Sequence, residues 1–197
     1  MRILLMIGGF LFSAFTWAFS EAELVQQLQQ PQNVQGRFVQ QRFLKSLAAP
    51  ITLQGQFTLV AKKGLLWQLE KPFANQLRVK PDGITQWNGK QWTGNQKPGQ
   101  SEQIGLFLGL LSGNIDGLRS QFDMKLSGNA QNWKLMLTPN SLLMKQIFIS
   151  IEIEGDQTAK RLQLNEVQGD RTQIDFQQIR LNQPLSAFAQ SALESAD

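Results

Sequence analysis

Apolar and polar residues alternate along most of the chain, and this period of two constrains the fold more than any other feature. Between Ile51 and Leu59, apolar side chains alternate with threonine and glutamine, and the same pattern returns around residues 65–69, 122–126, 133–137, 147–153, 162–164 and 174–176. Successive side chains of a strand point to opposite faces of its sheet, so each segment predicts a strand with one apolar and one polar face. Such faces are typical of antiparallel sheets, whereas parallel strands are apolar throughout. The sequence therefore predicts ten or eleven strands in one large antiparallel sheet.

The turns between these strands are short. Lys62-Lys63-Gly64 and Pro81-Asp82-Gly83 predict two of them, and Asn88-Gly89 is a strong hairpin signal. A two-residue turn at Asn88-Gly89 would pair Trp87 with Lys90. Trp87 and Trp92 would then share one face of the sheet as a diagonal pair.

A single sheet of this size must curl, and its apolar face then becomes a concave surface that needs a cover. Glu21 to Gln30 predicts a short helix, with Leu24 and Leu28 one turn apart and Pro31 ending it. The segment 102–113 is apolar nearly all round, which predicts a second, buried helix. This segment is either an ordinary core helix or a movable lid. The candidate lid residues are Leu106, Phe107, Gly109, Leu110 and Leu111, and Gly109→Leu is expected to wedge such a lid.

The N-terminal residues have the layout of a secretory signal peptide. Arg2 precedes an apolar run, and Ala18-Phe19-Ser20 gives a small-x-small cleavage site. We expect residues 1–20 to be a cleaved signal peptide and residues 21–197 to form a single domain in the periplasm. An uncleaved N-terminal anchor is the alternative.

The composition argues against an enzyme. The chain contains no histidine and no cysteine, and these two residues supply the common hydrolase nucleophiles and bases and most zinc ligands. Glu152 and Glu154 share one face of a predicted strand, which is the minimum for glycoside hydrolysis but is more typical of solvated charges. Ser141 and Lys145 are spaced S-x-x-x-K, one residue too far apart for the serine–lysine acylating motif. No metal or cofactor is expected, and a net charge of +4 is too small and dispersed for nucleic acid.

Several motifs, taken in order, resemble the outer-membrane lipoprotein carrier family, a group of LolA-like periplasmic chaperones. An early strand reads Gly36-Arg37-Phe38-Val39-Gln40. The later motifs are Gly55-Gln56-Phe57-Thr58-Leu59, Lys62-Lys63, Leu66-Trp67, Lys71-Pro72-Phe73, and Asp82-Gly83 followed by Trp87. Each motif is loose, and the specificity lies in their order and spacing across nearly the whole mature chain.

The resemblance implies a mainly β fold with a few helices: an unclosed antiparallel β-barrel of about eleven strands with a helical lid over an apolar cavity. It also implies a monomer that takes an acylated lipoprotein from an inner-membrane ABC transporter (LolCDE-like) and delivers it to an outer-membrane acceptor (LolB-like). The family's basic turn carries an arginine that latches the lid. Lys63 is the nearest equivalent and the candidate latch, although lysine lacks the planar guanidinium fork.

The sequence leaves two binding functions open, and an esterase or glycosidase remains a third hypothesis that the missing histidine disfavours. In the first, the cavity binds the acyl chains of lipoproteins or of related envelope lipids and carries them from the inner to the outer membrane. The candidate lipid-binding residues are Leu59, Trp67, Leu69, Trp87, Trp92, Leu135, Ile149 and Ile151. In the second, the chain is a non-carrying envelope sensor or regulatory module of the same fold.

Overall fold

The computed structural model describes residues 19–80, 83–94, 109 and 116–194. Eleven strands form one sheet in the order β6-β5-β4-β3-β2-β1-β11-β10-β9-β8-β7. The strands are β1 (Asn33–Phe43), β2 (Ile51–Val60), β3 (Gly64–Lys71), β4 (Asn75–Lys80), β5 (Gly83–Trp87), β6 (Trp92–Gly94), β7 (Phe122–Asn129), β8 (Asn132–Pro139), β9 (Phe148–Gly155), β10 (Ala159–Glu166) and β11 (Arg171–Leu181).

Every pairing in the sheet is antiparallel. Strands that follow each other in sequence are neighbours, except β6 and β7, and β1 also pairs with β11 in the middle of the sheet. Because β6 and β7 stand at opposite ends of the order, the sheet is not closed. The predicted fold class, a mainly β protein with an unclosed antiparallel barrel of about eleven strands, is confirmed.

Four helices longer than a single residue are described: α1 (Glu21–Gln29), α2 (Asp116–Arg119), α3 (Leu142–Ile147) and α4 (Ala187–Glu194). Helix α1 begins at Glu21, as predicted, and Ser20 is its N-cap in a capping box. The Glu23 backbone N–H donates to Ser20 Oγ at 3.3 Å, and the Glu23 carboxylate accepts from the Ser20 backbone N–H at 2.7 Å. This backbone hydrogen bond, together with one from the Ser20 hydroxyl, lowers the pKa of Glu23.

The two faces of the sheet carry separate hydrophobic clusters. The larger one, the interior, joins the strands to Leu24 and Leu28 of α1, Leu118 of α2 and Met144 of α3. The smaller one lies on the opposite, outer face, where α4 covers β3 and its neighbours and buries Leu66. Leu65 and Leu66 thus point to different clusters, as adjacent residues of a strand must.

Two local predictions were wrong. Trp87 pairs with Trp92, so the hairpin loop has four residues, Asn88 to Gln91, and not two. The Asn88 side-chain oxygen accepts from the backbone N–H groups of Lys90 and Gln91, both at 2.9 Å, and these bonds stabilise the longer loop. The strand predicted from Ile147 begins instead at Phe148, because Ile147 is the last residue of α3.

Candidate functional site

Three interior aromatic rings lie over glycines of the neighbouring strand. Gly55 is the cross-strand partner of Phe38, and Gly36 is the partner of Phe57. A Cβ added at either glycine would come within 2.9 Å of the partner's ring. Gly155 and Trp133, partners on β9 and β8, repeat the arrangement. Glycine therefore leaves room for a large ring to lie flat along the interior of the sheet.

The central strands bring four aromatic side chains together. The Phe38 and Trp67 rings stack with centroids 3.7 Å apart, and Phe57 meets Phe176 edge to face at 5.1 Å. Three of the four are at least 95% buried, whereas Trp67 is only partly buried. These residues come from β1, β2, β3 and β11, so pairing of distant parts of the chain builds the group.

The interior becomes more open toward one end of the sheet. Along β3, Leu65 is buried and Trp67 and Leu69 are partly buried. Along β10, Leu162 is buried and Leu164 is partly buried. Both strands run toward the end at which β1 stops, which we call the Phe43 end; the other is the Asn33 end.

Helix α1 covers the interior, and hydrogen bonds hold it in place near both of its ends. Glu21 accepts an ion-paired hydrogen bond from Arg119 of α2 at 2.7 Å. Near the C-terminus of α1, the Gln27 side-chain amide donates to the backbone carbonyls of Ala130 and Asp156. The Asp156 carbonyl also accepts from the Trp133 indole N–H at 2.5 Å, which connects α1 to the interior of β8.

A small cavity of about 10 Å³ lies beneath α1, and Leu28 of α1 is one of its walls. The other walls are Val34, Phe57, Leu59, Thr158, Ala159 and Phe176. A space of this size is near the minimum for one water molecule. An acyl chain therefore does not fit beneath α1 in this arrangement.

Five of the eight candidate lipid-binding residues belong to the interior cluster. Leu59, Leu135 and Ile151 are buried, and Trp67 and Leu69 are partly buried against them. Their contact with lipid stays a prediction. Trp67 and Leu69 are the two that also face the more open end.

Trp87 and Trp92 require a correction, because they lie outside this interior. They share one face of the sheet, as predicted, but they are directly opposed and their face is the outer one. Trp87 packs against Trp92 at 5.2 Å and against Phe188 of α4 at 5.7 Å between ring centroids. Arg78, which is 4% exposed, lies over the Trp92 ring and donates to the Ala192 carbonyl of α4 at 3.3 Å.

Ile149 also departs from its predicted place, since its side chain is 60% exposed. It sits where the pairing of β9 with β10 shifts register, between the pairs Asn165–Ser150 and Glu166–Phe148. The irregularity breaks the simple alternation that had grouped Ile149 with Ile151.

The lid and latch predictions fall largely beyond what the structure describes. Leu106, Phe107, Leu110 and Leu111 lie outside the described residues, and Gly109 is described as helical. Lys63 forms an ion pair with Glu194 of α4 at 3.3 Å, on the outer side of the sheet. The latch role of Lys63 toward a lid stays a prediction.

The polar groups weighed for catalysis have structural partners. Lys134 lies 2.5 Å from Glu152 and 3.4 Å from Glu154, and the hydrogen bond to Glu152 raises the pKa of Lys134. The Ser141 hydroxyl accepts the Met144 backbone N–H as the N-cap of α3. Within the described ranges, no three acidic, histidine or cysteine side chains come together as metal ligands. Nor does any helix in the described part of the chain have the length and apolarity to cross a membrane.

Sequence reasoning missed several interior residues. Phe38, Phe57 and Phe176 form the aromatic group with Trp67, but only Trp67 was singled out. A Gly-x-Phe spacing at Gly36–Phe38 and again at Gly55–Phe57 was the available signal. For the outer cluster the signal was Leu65-Leu66-Trp67, because an uninterrupted apolar run predicts burial on both faces.

Comparison with solved structures shows the same fold at very low sequence identity. A LolA superfamily protein, NE2245 from Nitrosomonas europaea, aligns with a TM-score of 0.50 at 8% identity, over 86% of this chain and 96% of that one. MucB in the Pseudomonas aeruginosa MucA/MucB complex aligns with a TM-score of 0.51 at 13% identity, over 84% of this chain and 57% of that one.

The sequence comparisons differ in outcome. No curated protein matches the chain. Residues 14–182 match the family described as outer membrane lipoprotein carrier protein LolA-like, and this match spans all eleven described strands. The chain belongs to that LolA-like family.

Proposed function

We propose that the protein binds acyl chains of lipoproteins, or of related acylated envelope lipids, against the interior face of the open sheet. The observation that carries the proposal is the apolar interior, in which Trp67 and Leu69 remain partly accessible toward the Phe43 end. Membership of the LolA-like family supports the same assignment.

The energetics favour an acyl chain over a small polar ligand. Each buried methylene contributes about 0.8 kcal/mol, so a sixteen-carbon chain supplies on the order of 10 kcal/mol before ordering costs. Displacing α1 exposes Leu24 and Leu28, which offsets part of this gain. The remainder holds the cargo while allowing its release without ATP hydrolysis by this chain.

The test compares two tryptophans on opposite faces of the sheet. Trp67→Leu should weaken binding of a fluorescent fatty acid to the mature protein, because the Trp67 ring belongs to the interior. Trp87→Leu is the matched control, since Trp87 packs under α4 on the outer face. Circular dichroism and thermal unfolding establish that both variants fold. Equal affinity of wild type and Trp67→Leu for the fatty acid would contradict the proposal.

We further propose that the protein works in the periplasm after removal of residues 1–20 and shuttles its cargo from the inner to the outer membrane. A LolCDE-like transporter and a LolB-like acceptor are the partners that the family resemblance implies. The proposed lid at residues 106–111 is tested by Gly109→Leu, which should reduce fatty-acid uptake if that helix must move. Unchanged uptake by the folded variant would remove the lid role from this segment.

A non-carrying regulatory module is the second candidate. The fold is shared with MucB, and one of the solved structures is a complex of MucA and MucB. A module of this kind would hold a protein partner stably and show no turnover of lipid. Transfer of a bound lipoprotein from this chain to outer-membrane vesicles would favour the carrier, and a stable protein complex without acyl uptake would favour the module.

A further inference from the structure

The large exposed hydrophobic side chains of the described residues all lie at one end of the sheet. They are Leu47, Ile51, Phe73, Leu142, Leu143, Ile149 and Val167. Each belongs to a turn, a strand start or α3 at the Phe43 end, and we call this set the apolar rim. At the Asn33 end, no large hydrophobic side chain of the described residues is exposed to this degree. Scattered exposed hydrophobics are ordinary, but their confinement to one end indicates an interaction surface.

The middle of the rim is connected by backbone contacts. The Val167 backbone N–H donates to the Ile147 carbonyl at 3.0 Å, which joins the β10–β11 turn to the end of α3. The Lys45 backbone N–H donates to the Asp170 carboxylate at 3.0 Å, which joins that turn to the β1–β2 loop. Phe73 extends the rim along the same end in the β3–β4 turn, where its side chain is 71% exposed.

Exposed lysines accompany the apolar side chains. Three exposed lysines each lie two positions in sequence from a large exposed hydrophobic residue. The pairs are Lys45 with Leu47, Lys71 with Phe73, and Lys145 with Leu143. None of these three ammonium groups makes an ion pair with another residue in the described ranges. By contrast, the carboxylates of Glu166 and Asp170 at the same end of the sheet each lie 3.8 Å from the Arg42 guanidinium. The rim therefore presents apolar tips together with unpaired positive charge.

We propose that the apolar rim docks the protein on the surface of an anionic phospholipid bilayer. Apolar side chains on turns can enter the interfacial region of a bilayer, and neighbouring lysines then meet the anionic headgroups. The rim is also the end toward which the interior becomes accessible at Trp67, Leu69 and Leu164. Docking in this orientation directs the more open end of the interior at the lipid. The inference goes beyond acyl-chain binding and does not require it.

The first test measures co-sedimentation of the mature protein with vesicles of phosphatidylglycerol and phosphatidylcholine. The wild-type protein should bind these vesicles more tightly than vesicles of pure phosphatidylcholine. Its affinity for the anionic vesicles should fall as the salt concentration rises. Phe73→Ser combined with Leu142→Ser should weaken binding by about tenfold or more, because both side chains are highly exposed and apolar. Wild-type protein that stays in the supernatant with anionic vesicles would overturn the proposal and leave the rim as a surface for a protein partner.

The second test separates the rim from overall charge. Lys45→Gln with Lys145→Gln removes two rim lysines, and Lys62→Gln with Lys125→Gln removes two exposed lysines away from the rim. The rim pair should lower affinity for anionic vesicles about tenfold, whereas the control pair should change it about twofold or less. Equal losses would overturn the proposal, since binding would then depend on net charge alone.

Fatty-acid uptake by the same rim variants distinguishes this proposal from the proposed function. The interior is unchanged in these variants, so uptake should match wild type. Vesicle binding without uptake would overturn the carrier function and leave the rim in place. Uptake without vesicle binding by wild type would overturn the rim and leave the carrier function in place.

Discussion

Gly55 shows how a single residue shapes the interior. Its missing side chain makes room for the Phe38 ring, and a Cβ at this position would also lie 2.0 Å from the Gln68 backbone oxygen. Neither group can move easily, because the ring stacks on Trp67 and the carbonyl belongs to β3. The close approach is a matter of packing; no unusual backbone conformation is involved.

We therefore expect Gly55→Ala to lower the free energy of unfolding by about 1–3 kcal/mol. The measurement is urea denaturation followed by circular dichroism. Gly117→Ala in α2 is the matched control, since a Cβ there meets nothing within 4 Å and alanine is the better helix former. Equal stability of the Gly55 variant and wild type would show that the sheet relaxes around the new methyl group.

On the outer face, Glu70 accepts hydrogen bonds from Gln56 at 2.5 Å and from Arg37 at 2.6 Å, across β3, β2 and β1. These bonds, with Gln56 the larger contribution, lower the pKa of Glu70 from its ordinary 4.5. A carboxyl whose pKa falls on folding stabilises the fold above its unfolded pKa, and that stabilisation is lost as the pH falls through its folded pKa.

Glu70→Gln should therefore lower the free energy of unfolding at neutral pH by about 1 kcal/mol or less, since the pair is exposed. The difference between variant and wild type should disappear on acidification below the folded pKa. Denaturant titrations at about pH 7 and about pH 2 measure this difference. A difference of the same size at both values would mean that the carboxylate charge is not its source.

At the scale of elements, α1 is the described cover of the interior. Its Leu24 and Leu28 face the core, and Gln27 holds its C-terminal half to the turns at Ala130 and Asp156. The cavity beneath α1 is too small for an acyl chain, so we expect α1 to lift when a chain enters this region.

Gln27→Ala should accelerate fatty-acid uptake, because it removes hydrogen bonds made only when α1 is docked. At roughly 1 kcal/mol for each of the two bonds, the open population rises about thirtyfold. Gln26→Ala is the control, since Gln26 is exposed on the same helix. Stopped-flow fluorescence with a fatty-acid probe measures the rate. Identical rates for both variants and wild type would place the entry route elsewhere.

The sequence predicts elements better than it predicts their faces. Period-two alternation correctly indicates an antiparallel sheet of ten or eleven strands, because the pattern follows directly from strand geometry. It placed Leu59, Leu135 and Ile151 in the interior. It misplaced Trp87 and Trp92, because the pairing of β5 with β4 sets their face. Ile84 lies opposite Val79 in the interior, so Trp87, three residues further along β5, points to the outer face.

Long-range pairing explains the rest of what the sequence did not show. The β1–β11 pair joins residues more than one hundred positions apart, and this pair brings Phe176 beside Phe57. The outer role of α4 depends on Arg78 and Leu66 lying under it, which follows from strand register and not from helix periodicity. Local patterns do not contain this information.

At the scale of the whole molecule, three parts of the open sheet have different roles. Its interior face collects the apolar core beneath α1, its outer face is stabilised by α4, and its Phe43 end carries exposed apolar and basic side chains. A carrier needs such a separation, because cargo binding and release must proceed without unfolding the sheet.

The proposed function requires that the interior holds acyl chains. The most direct measurement is native mass spectrometry of the mature protein, purified from a bacterial periplasm without detergent. We expect a bound species whose mass matches a lipid or an acylated protein, and whose occupancy falls in the Trp67→Leu variant but not in Trp87→Leu. Wild-type protein that is bare, and that stays bare after incubation with fatty acids or lipoprotein, would contradict the claim.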